Sequence, residues 1–345
     1  MDVTSLEWTI TIAATVGVLL FDVVVIARDP REPSMKECAV ALCFYVGAAL
    51  GFGLFVWLHH GQGYGIEFYT GWLTEYSLSI DNLFVFIILM AALKVPRKYQ
   101  QEALLVGIVL ALIFRGIFIA LGYALIENFS WVFYIFGAFL VYTAYGLVKS
   151  YRTHEDEHPE DNAVVKFARS HLRVGEAYHG LKLWYHENGV RFVSPIVIVI
   201  IALGVTDILF ALDSIPAIFG ITQEPYLVFT ANVFALMGLR QLYFLLGGLL
   251  ERLVYLSLGL AFILAFIGVK LVLHALHENE LAFINGGHHV EAAPEISSLL
   301  SLGVIVATLV ITAVASLLKS SKEPEAIEEQ IPVEVDETPG ADWKD

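Results

Sequence analysis

Four carboxylates and two arginines stand in stretches of sequence that are otherwise almost wholly apolar. Glu75 and Asp81 head the run that ends at Met90, and Asp207 and Asp213 lie in a second such run. Each pair is six residues apart, and each second acid is followed by a small polar residue, Asn82 or Ser214. Ser77, Ser79 and Thr206 add hydroxyls nearby. The donors are carboxylate, amide and hydroxyl oxygens, without a thiolate or an obvious histidine among them. Such hard ligands suit Mg²⁺, Ca²⁺ or Mn²⁺ better than Zn²⁺ or Cu⁺. Arg115 and Arg240, each inside an apolar run, offer a rival use for the acids as a structural ion-pair core. Four acids against two arginines leave room for two more positive charges, which is one divalent cation or two protons.

The acids are costly where they stand. A central Asp in a membrane helix costs roughly 2.5 to 3.5 kcal/mol, and each Leu, Ile, Phe or Val returns about 0.3 to 0.6. The apolar residues between Ile80 and Leu89 therefore return roughly 2 to 5 kcal/mol, no more than two carboxylates cost. The acids must face a partner or a watery cavity. Residues six apart on a helix are separated by about 9 Å along the axis and roughly 120° around it, so one helix alone cannot chelate an ion with such a pair. Pro216 cannot donate to the Leu212 carbonyl, which leaves an acceptor beside Asp213.

The elements that position these groups must be membrane helices. The chain has 345 residues, 57% hydrophobic and only 16% charged, with a mean hydropathy of +0.70. That composition excludes a soluble domain and predicts an all-α, polytopic integral membrane protein. Runs long enough to cross roughly 30 Å of hydrocarbon occur at 6–26, 38–58, 67–93, 102–126, 129–149, 194–218, 226–248, 252–276 and 296–318, which predicts nine transmembrane helices. The first run lacks a basic leader and a small-residue cleavage site, so it reads as a retained span. Lys and Arg cluster in the connections after the odd-numbered spans, which predicts the N-terminus outside and the C-terminus in the cytoplasm. Much of the net charge of −15 sits in the tail and in the acidic start of the loop after Tyr151, and says little about nucleic acid. Cys38 and Cys43 read as packing residues.

The third to fifth spans, 67–149, and the sixth to eighth, 194–276, share an order of features. After the paired acids, Arg115 precedes Gly122 by seven as Arg240 precedes Gly247, and Gly137 precedes Gly146 by nine as Gly259 precedes Gly268. A repeat of three helices enters the membrane from opposite sides in its two copies. The expectation is therefore two inverted three-helix repeats, with a site between them near the midplane. The residues divide into a transmembrane domain over 1–319 and an acidic, Pro-containing tail over 320–345, expected to be disordered. The cytoplasmic loop 150–193 is expected to be partly helical around Ala163 to Leu183.

SIDNLFVFIILM (79–90), FGAFLVYTAYGLVKSYRTHEDE (136–157), TDILFALDSIPAIFGIT (206–222) and NVFALMGLRQLYFLLGG (232–248) resemble the TerC/Alx family of bacterial integral membrane proteins. The resemblance runs to about residue 319, and the DSIPAIF block is its most specific part. It implies a manganese(II) exporter of the bacterial cytoplasmic membrane, in a family first named for tellurite resistance. Carried over position by position, the acids are Glu75, Asp81, Asp207 and Asp213, with Asn82 and Ser214 as auxiliary ligands. Arg115 and Arg240 are then organisers of the empty site. Many members carry a further Glu three residues before the first Asp of the second copy, where this chain has Gly204, so its charge count is one lower.

Other motifs carry less. THEDEHPED (153–161) matches the zinc-protease pattern at His154, Glu155 and His158, but Pro159 and the run of acids do not suit the stable helix which that mechanism needs. No enzyme is expected. The outward stretch 274–295 holds four histidines and four glutamates, a loose release site for divalent ions or simply a polar loop. GAALGFG (47–53) lacks the Lys of a phosphate loop and reads as helix packing. The leading expectation is a secondary transporter that exports Mn²⁺ by alternating access, with Glu75, Asp81, Asp207 and Asp213 as ligands or proton carriers and the coupling ion left open between protons and others. Against it stand a membrane scaffold for stress-resistance complexes and a carrier of another divalent cation such as Ca²⁺.

Overall fold

The computed structural model describes residues 1–28, 33–93, 95–129, 131–153, 174–175, 183–187, 190–246, 254–277, 279, 281, 284–290 and 293–320. The expected tail beyond Ser320 and the His154–Glu155–His158 motif lie outside them. In chain order the helices are α1 (Ser5–Arg28), α2 (Met35–His60), α3 (Gln62–Ala92), α4 (Arg97–Asn128) and α5 (Val132–Thr153). A hairpin of β1 (Trp184–Glu187) and β2 (Val190–Val193) follows, then α6 (Pro195–Phe219), α7 (Pro225–Leu236), α8 (Leu239–Leu246), α9 (Leu256–His277) and α10 (Ser298–Ser320).

The protein is an all-α integral membrane protein. Among the described residues eight helical segments are long and apolar enough to cross a membrane, and Ser5–Val18 within α1 is a shorter apolar helix. Local chemistry sets their starts. Ser34 and Glu37 cap α2 reciprocally, each side chain accepting from the other's backbone N–H. Pro195 and Pro225 open α6 and α7, where a missing N–H costs nothing.

One sequence expectation is corrected. The run 226–248 is not one helix: Met237 is extended and Gly238 takes φ +85°, so the span is broken into α7 and α8. A left-handed residue cannot continue a right-handed helix, and glycine is the residue that adopts it without a steric penalty. Most of the stretch Ala163 to Leu183, expected to be partly helical, lies outside the described residues; within it Val174, Gly175 and Leu183 are not helical, and Val174 bridges to Val193. Beside it β1 and β2 pair antiparallel, with Trp184 opposite Val193 and Glu187 opposite Val190.

Close contacts fix the helix directions. Glu67 meets Thr222 just beyond α6, Gly71 faces Ile218, and Glu75 and Asp207 meet on Arg115, so numbering rises along α3 as it falls along α6. The first helices of the two proposed copies are therefore antiparallel. The third helices are too: α5 lies along α9 with Phe133 near His274, Gly137 on Gly268 and Tyr151 near Tyr255. By contrast α4 runs parallel to α6, with Gly107 on Leu203 and Gly122 on Phe219. The helices that pack most extensively across the copies are α3 with α7, α4 with α6 and α5 with α9. Exchanging first, second and third helices between copies interchanges the first two pairs and leaves the third unchanged.

The glycines paired by spacing have different uses. Gly137 and Gly268 lie at the α5–α9 crossing, where a Cβ on Gly137 would sit 2.7 Å from the Gly268 carbonyl oxygen. Gly259 packs instead under Thr312 of α10, and a Cβ on Gly146 would meet open space. Around the helices, exposed apolar residues face the bilayer. On α4 these are Ile113, Ile117, Leu121 and Leu125, and the opposite stripe of Ala111, Arg115, Ile119 and Ile126 is buried.

Candidate cation site

Arg115 is the largest of the side chains that are almost completely buried. It projects from the inner stripe of α4 and collects groups from three other helices. Its Nη1 donates to Glu75 Oε2 of α3 at 2.6 Å and to Asn232 Oδ1 of α7 at 2.7 Å. Its Nε lies 3.8 Å from Asp207 Oδ1 of α6, an ion pair too long for a hydrogen bond. Asn82, with its amide turned to suit both neighbours, donates to the Leu78 carbonyl at 3.0 Å and accepts from Arg115 Nη2 at 3.3 Å. The planar fork of guanidinium donors is what lets one side chain serve so many acceptors, and Lys could not.

Spacing explains the convergence. Glu75, Leu78 and Asn82 fall at i, i+3 and i+7 on α3, one face of a helix. Glu75 is fully buried and Asp207 is 3% exposed, so neither is hydrated from bulk water. Two carboxylates and one guanidinium in such a place are tolerable only because each has a charged partner. Several polar atoms remain without a hydrogen-bond partner among the described residues: Glu75 Oε1, Asp207 Oδ2, Ser79 Oγ, Ser214 Oγ and Arg115 Nε. Buried polar atoms in native proteins are normally satisfied, and unpartnered carboxylate oxygens of this kind are chemically fit to take a hard cation or a proton.

The residues singled out from sequence do not all meet. Glu75, Asp207 and Asn82 share the Arg115 guanidinium. Asp213, six residues further along α6, accepts instead from Thr143 Oγ1 of α5 at 3.1 Å. Ser214 is buried one residue beyond it. Asp81 lies on α3, and its side chain is outside what the structure describes. Arg240 is half-buried in the first turn of α8, directly after the Gly238 break. No three His, Cys, Asp or Glu side chains among the described residues are close enough together to hold a metal ion. In this conformation Glu75 and Asp207 are held by Arg115 and do not form a closed chelate. Gly204 faces α4, where an added Cβ would lie 3.7 Å from Leu110 and Phe114, an ordinary packing distance.

Asn232 was missed from sequence. It is 1% exposed in the middle of the broken span, and an amide inside an apolar run is itself a signal. Thr143 carried no signal, since a hydroxyl in a membrane helix can bond its own backbone.

Comparisons with known proteins place the chain among membrane proteins. The profile of the integral membrane protein TerC family matches residues 60–324. An uncharacterized membrane protein of Mycobacterium tuberculosis strain H37Rv is 45% identical over 92% of this chain and 80% of its own length. One from Myxococcus xanthus is 37% identical over 92% of this chain and 93% of its own. A protein of Escherichia coli K12 named "Putative membrane-bound redox modulator Alx" is 37% identical over 83% and 85%. No solved structure matches.

Proposed function

This chain belongs to the TerC family of integral membrane proteins, and on that premise we propose a secondary transporter that exports a divalent cation, Mn²⁺ foremost, across the bacterial cytoplasmic membrane. The observation that carries the reading is the buried meeting of Glu75, Asp207, Asn82 and Asn232 on Arg115. Its oxygens are of the hard kind that Mn²⁺, Mg²⁺ and Ca²⁺ prefer. The antiparallel pairing of α3 with α6 and of α5 with α9 supports two inverted copies enclosing the site, and the break at Gly238 resembles the discontinuous helices of such carriers.

Charge dictates how the site works. With both carboxylates ionised, Arg115 leaves the constellation at −1, and a divalent cation in its place would make it neutral. The two cannot share the acids. At about 4 Å and an effective dielectric near 20, like unit charges repel by about 4 kcal/mol, and a divalent ion doubles that. Arg115 therefore serves as a tethered cation that holds the acids between transport events and withdraws when the ion binds Glu75 Oε1 and Asp207 Oδ2. Asn82 and Asn232, released by the guanidinium, are amide ligands. Asp213, beside Thr143, is placed to carry a proton on the same helix. The end of the bundle bearing Gln62, Val132 and residues 220–225 faces outward, and the end carrying the 154–194 connection faces the cytoplasm. The name of the Escherichia coli relative raises a redox role, but Cys38 and Cys43 are both free thiols five residues apart on α2.

Flux in proteoliposomes tests the proposal. Mn²⁺ movement across an imposed pH gradient, compared with Mg²⁺, Ca²⁺ and Zn²⁺, should be strongest for Mn²⁺ and absent in Asp207→Asn. Equal flux in wild type, Asp207→Asn and empty vesicles would remove the transporter reading.

A further inference from the structure

A second group of charges lies on the same face of α3, nearer its N-terminus. Glu67 precedes Glu75 by eight residues, which is about 12 Å along the helix axis, with Gly71 between them. Glu67 borders a cavity of about 450 Å³ formed by the start of α3, the α6–α7 connection, α9 and the segment before α10. Lys270 of α9 lines the same cavity, as do Thr222, Glu224, His274 and Glu295. Two of the acids near the cavity already have close nitrogen partners. Glu224 meets the Met1 amino group at 2.7 Å, and Glu295 meets His277 Nε2 at 3.2 Å. Glu67 is held differently, by a hydroxyl: buried Thr222 donates Oγ1 to Glu67 Oε2 at 2.7 Å.

Between the levels of Glu67 and Glu75 the contact of α3 with α6 and α7 is apolar. At Gly71 the Ile218 Cδ1 atom comes within 2.5 Å of where a Cβ would stand, with Ala231 at 3.5 Å behind it. Glycine at this position lets Ile218 seat directly on the α3 backbone, at a level between Glu67 and Glu75.

We propose that Glu67 and Thr222 form an outer station for a partly hydrated divalent cation, that Lys270 competes with the ion for Glu67, and that Ile218 seated on Gly71 separates this station from the central site. The volume is adequate, because six waters at about 30 Å³ each need about 180 Å³. A single carboxylate with a hydroxyl holds such an ion weakly, as a release station requires, and the ammonium of Lys270 weakens it further. An ion arriving from Glu75 meets Glu67, where the Lys270 ammonium lining the same cavity repels it, and leaves to the outside. This inference rests on the central transport reading.

The test is Mn²⁺ titration of the detergent-solubilised full chain, with free Mn²⁺ read by electron paramagnetic resonance. Removing the central site with Glu75→Gln and Asp207→Asn should leave one weaker class of binding. Adding Glu67→Gln should abolish that class. Adding Lys270→Met instead should tighten it about tenfold, the scale of one charge-assisted contact. No residual binding after loss of the central acids, or residual binding indifferent to both Glu67→Gln and Lys270→Met, would overturn the outer station. Failure of the central reading looks different, since the Glu75→Gln and Asp207→Asn protein would then bind exactly as wild type does. Lys270→Met strengthens where Glu67→Gln weakens, a pair of opposite signs that misfolding does not produce.

Discussion

Arg115 and Glu75 form a 2.6 Å ion pair with both side chains almost wholly removed from solvent, forty residues apart in sequence and on adjacent helices. The pair also engages Asp207 and Asn232, so one guanidinium joins α3, α4, α6 and α7. Tertiary packing is thereby tied to the charge state of the site.

Arg115→Met removes the internal competitor and leaves two buried acids unmatched. The folded protein should lose about 3 to 5 kcal/mol, as when one partner of a buried ion pair is deleted, measured by unfolding in mixed micelles. Added Mn²⁺ should restore much of that loss, because an ion that binds only the folded state stabilises it. Loss of stability that no divalent cation relieves would mark Arg115 as purely structural.

Asp207→Asn and Asp213→Asn should behave differently although they lie six residues apart on one helix. Asp207 faces Arg115, so its neutralisation should abolish Mn²⁺ binding at the central site. Asp213 bonds to Thr143, so its neutralisation should keep Mn²⁺ affinity within about threefold, or roughly 0.7 kcal/mol, while removing the dependence of flux on the pH gradient. Calorimetric titration and vesicle flux measured side by side check both. Equal loss of binding in the two variants would place Asp213 among the ligands instead.

Gly137→Val tests the α5–α9 crossing. The new side chain would meet the Gly268 carbonyl and Val272, and overpacking of this kind costs about 1 to 3 kcal/mol. Gly146→Val, on the same helix but facing open space, should change stability by less than about 0.5 kcal/mol. Thermal unfolding of the two variants gives the comparison, and similar midpoints would contradict the close approach.

Gly71→Val should block passage without emptying the central site. The added methyls collide with the δ-methyl of Ile218, which must turn away from α3 to make room. Mn²⁺ binding to the Arg115 constellation should persist while vesicle flux falls at least about tenfold, a barrier increase near 1.4 kcal/mol. Normal flux in this variant would show that Ile218 is not part of the route.

Much of this protein was determined by its sequence alone, for one physical reason: a bilayer gives apolar length and isolated charge an unambiguous meaning. Apolar runs must become helices because hydrocarbon satisfies no backbone group, so the spans and the class of fold could be read directly. Glu75, Asp207 and Arg115 were recognisable because an ionised side chain there needs a partner or a purpose.

Tertiary structure decided what those partners are. Spacing suggested that Glu75, Asp81, Asp207 and Asp213 act as one set, yet α6 rotates by roughly 240° between Asp207 and Asp213, counted in the helical sense, and turns them toward different neighbours. Arg115 was expected to organise an empty site, whereas its simultaneous hold on Glu75, Asp207, Asn82 and Asn232 depends on four helices meeting at one depth. Asn232 and Thr143 joined the picture only through contacts between helices distant in sequence. The break at Gly238 and the seat of Ile218 on Gly71 are likewise matters of where backbones approach. Local sequence specifies which segments are helical and which groups are costly to bury, while the relief of that cost is a property of neighbours that only packing supplies.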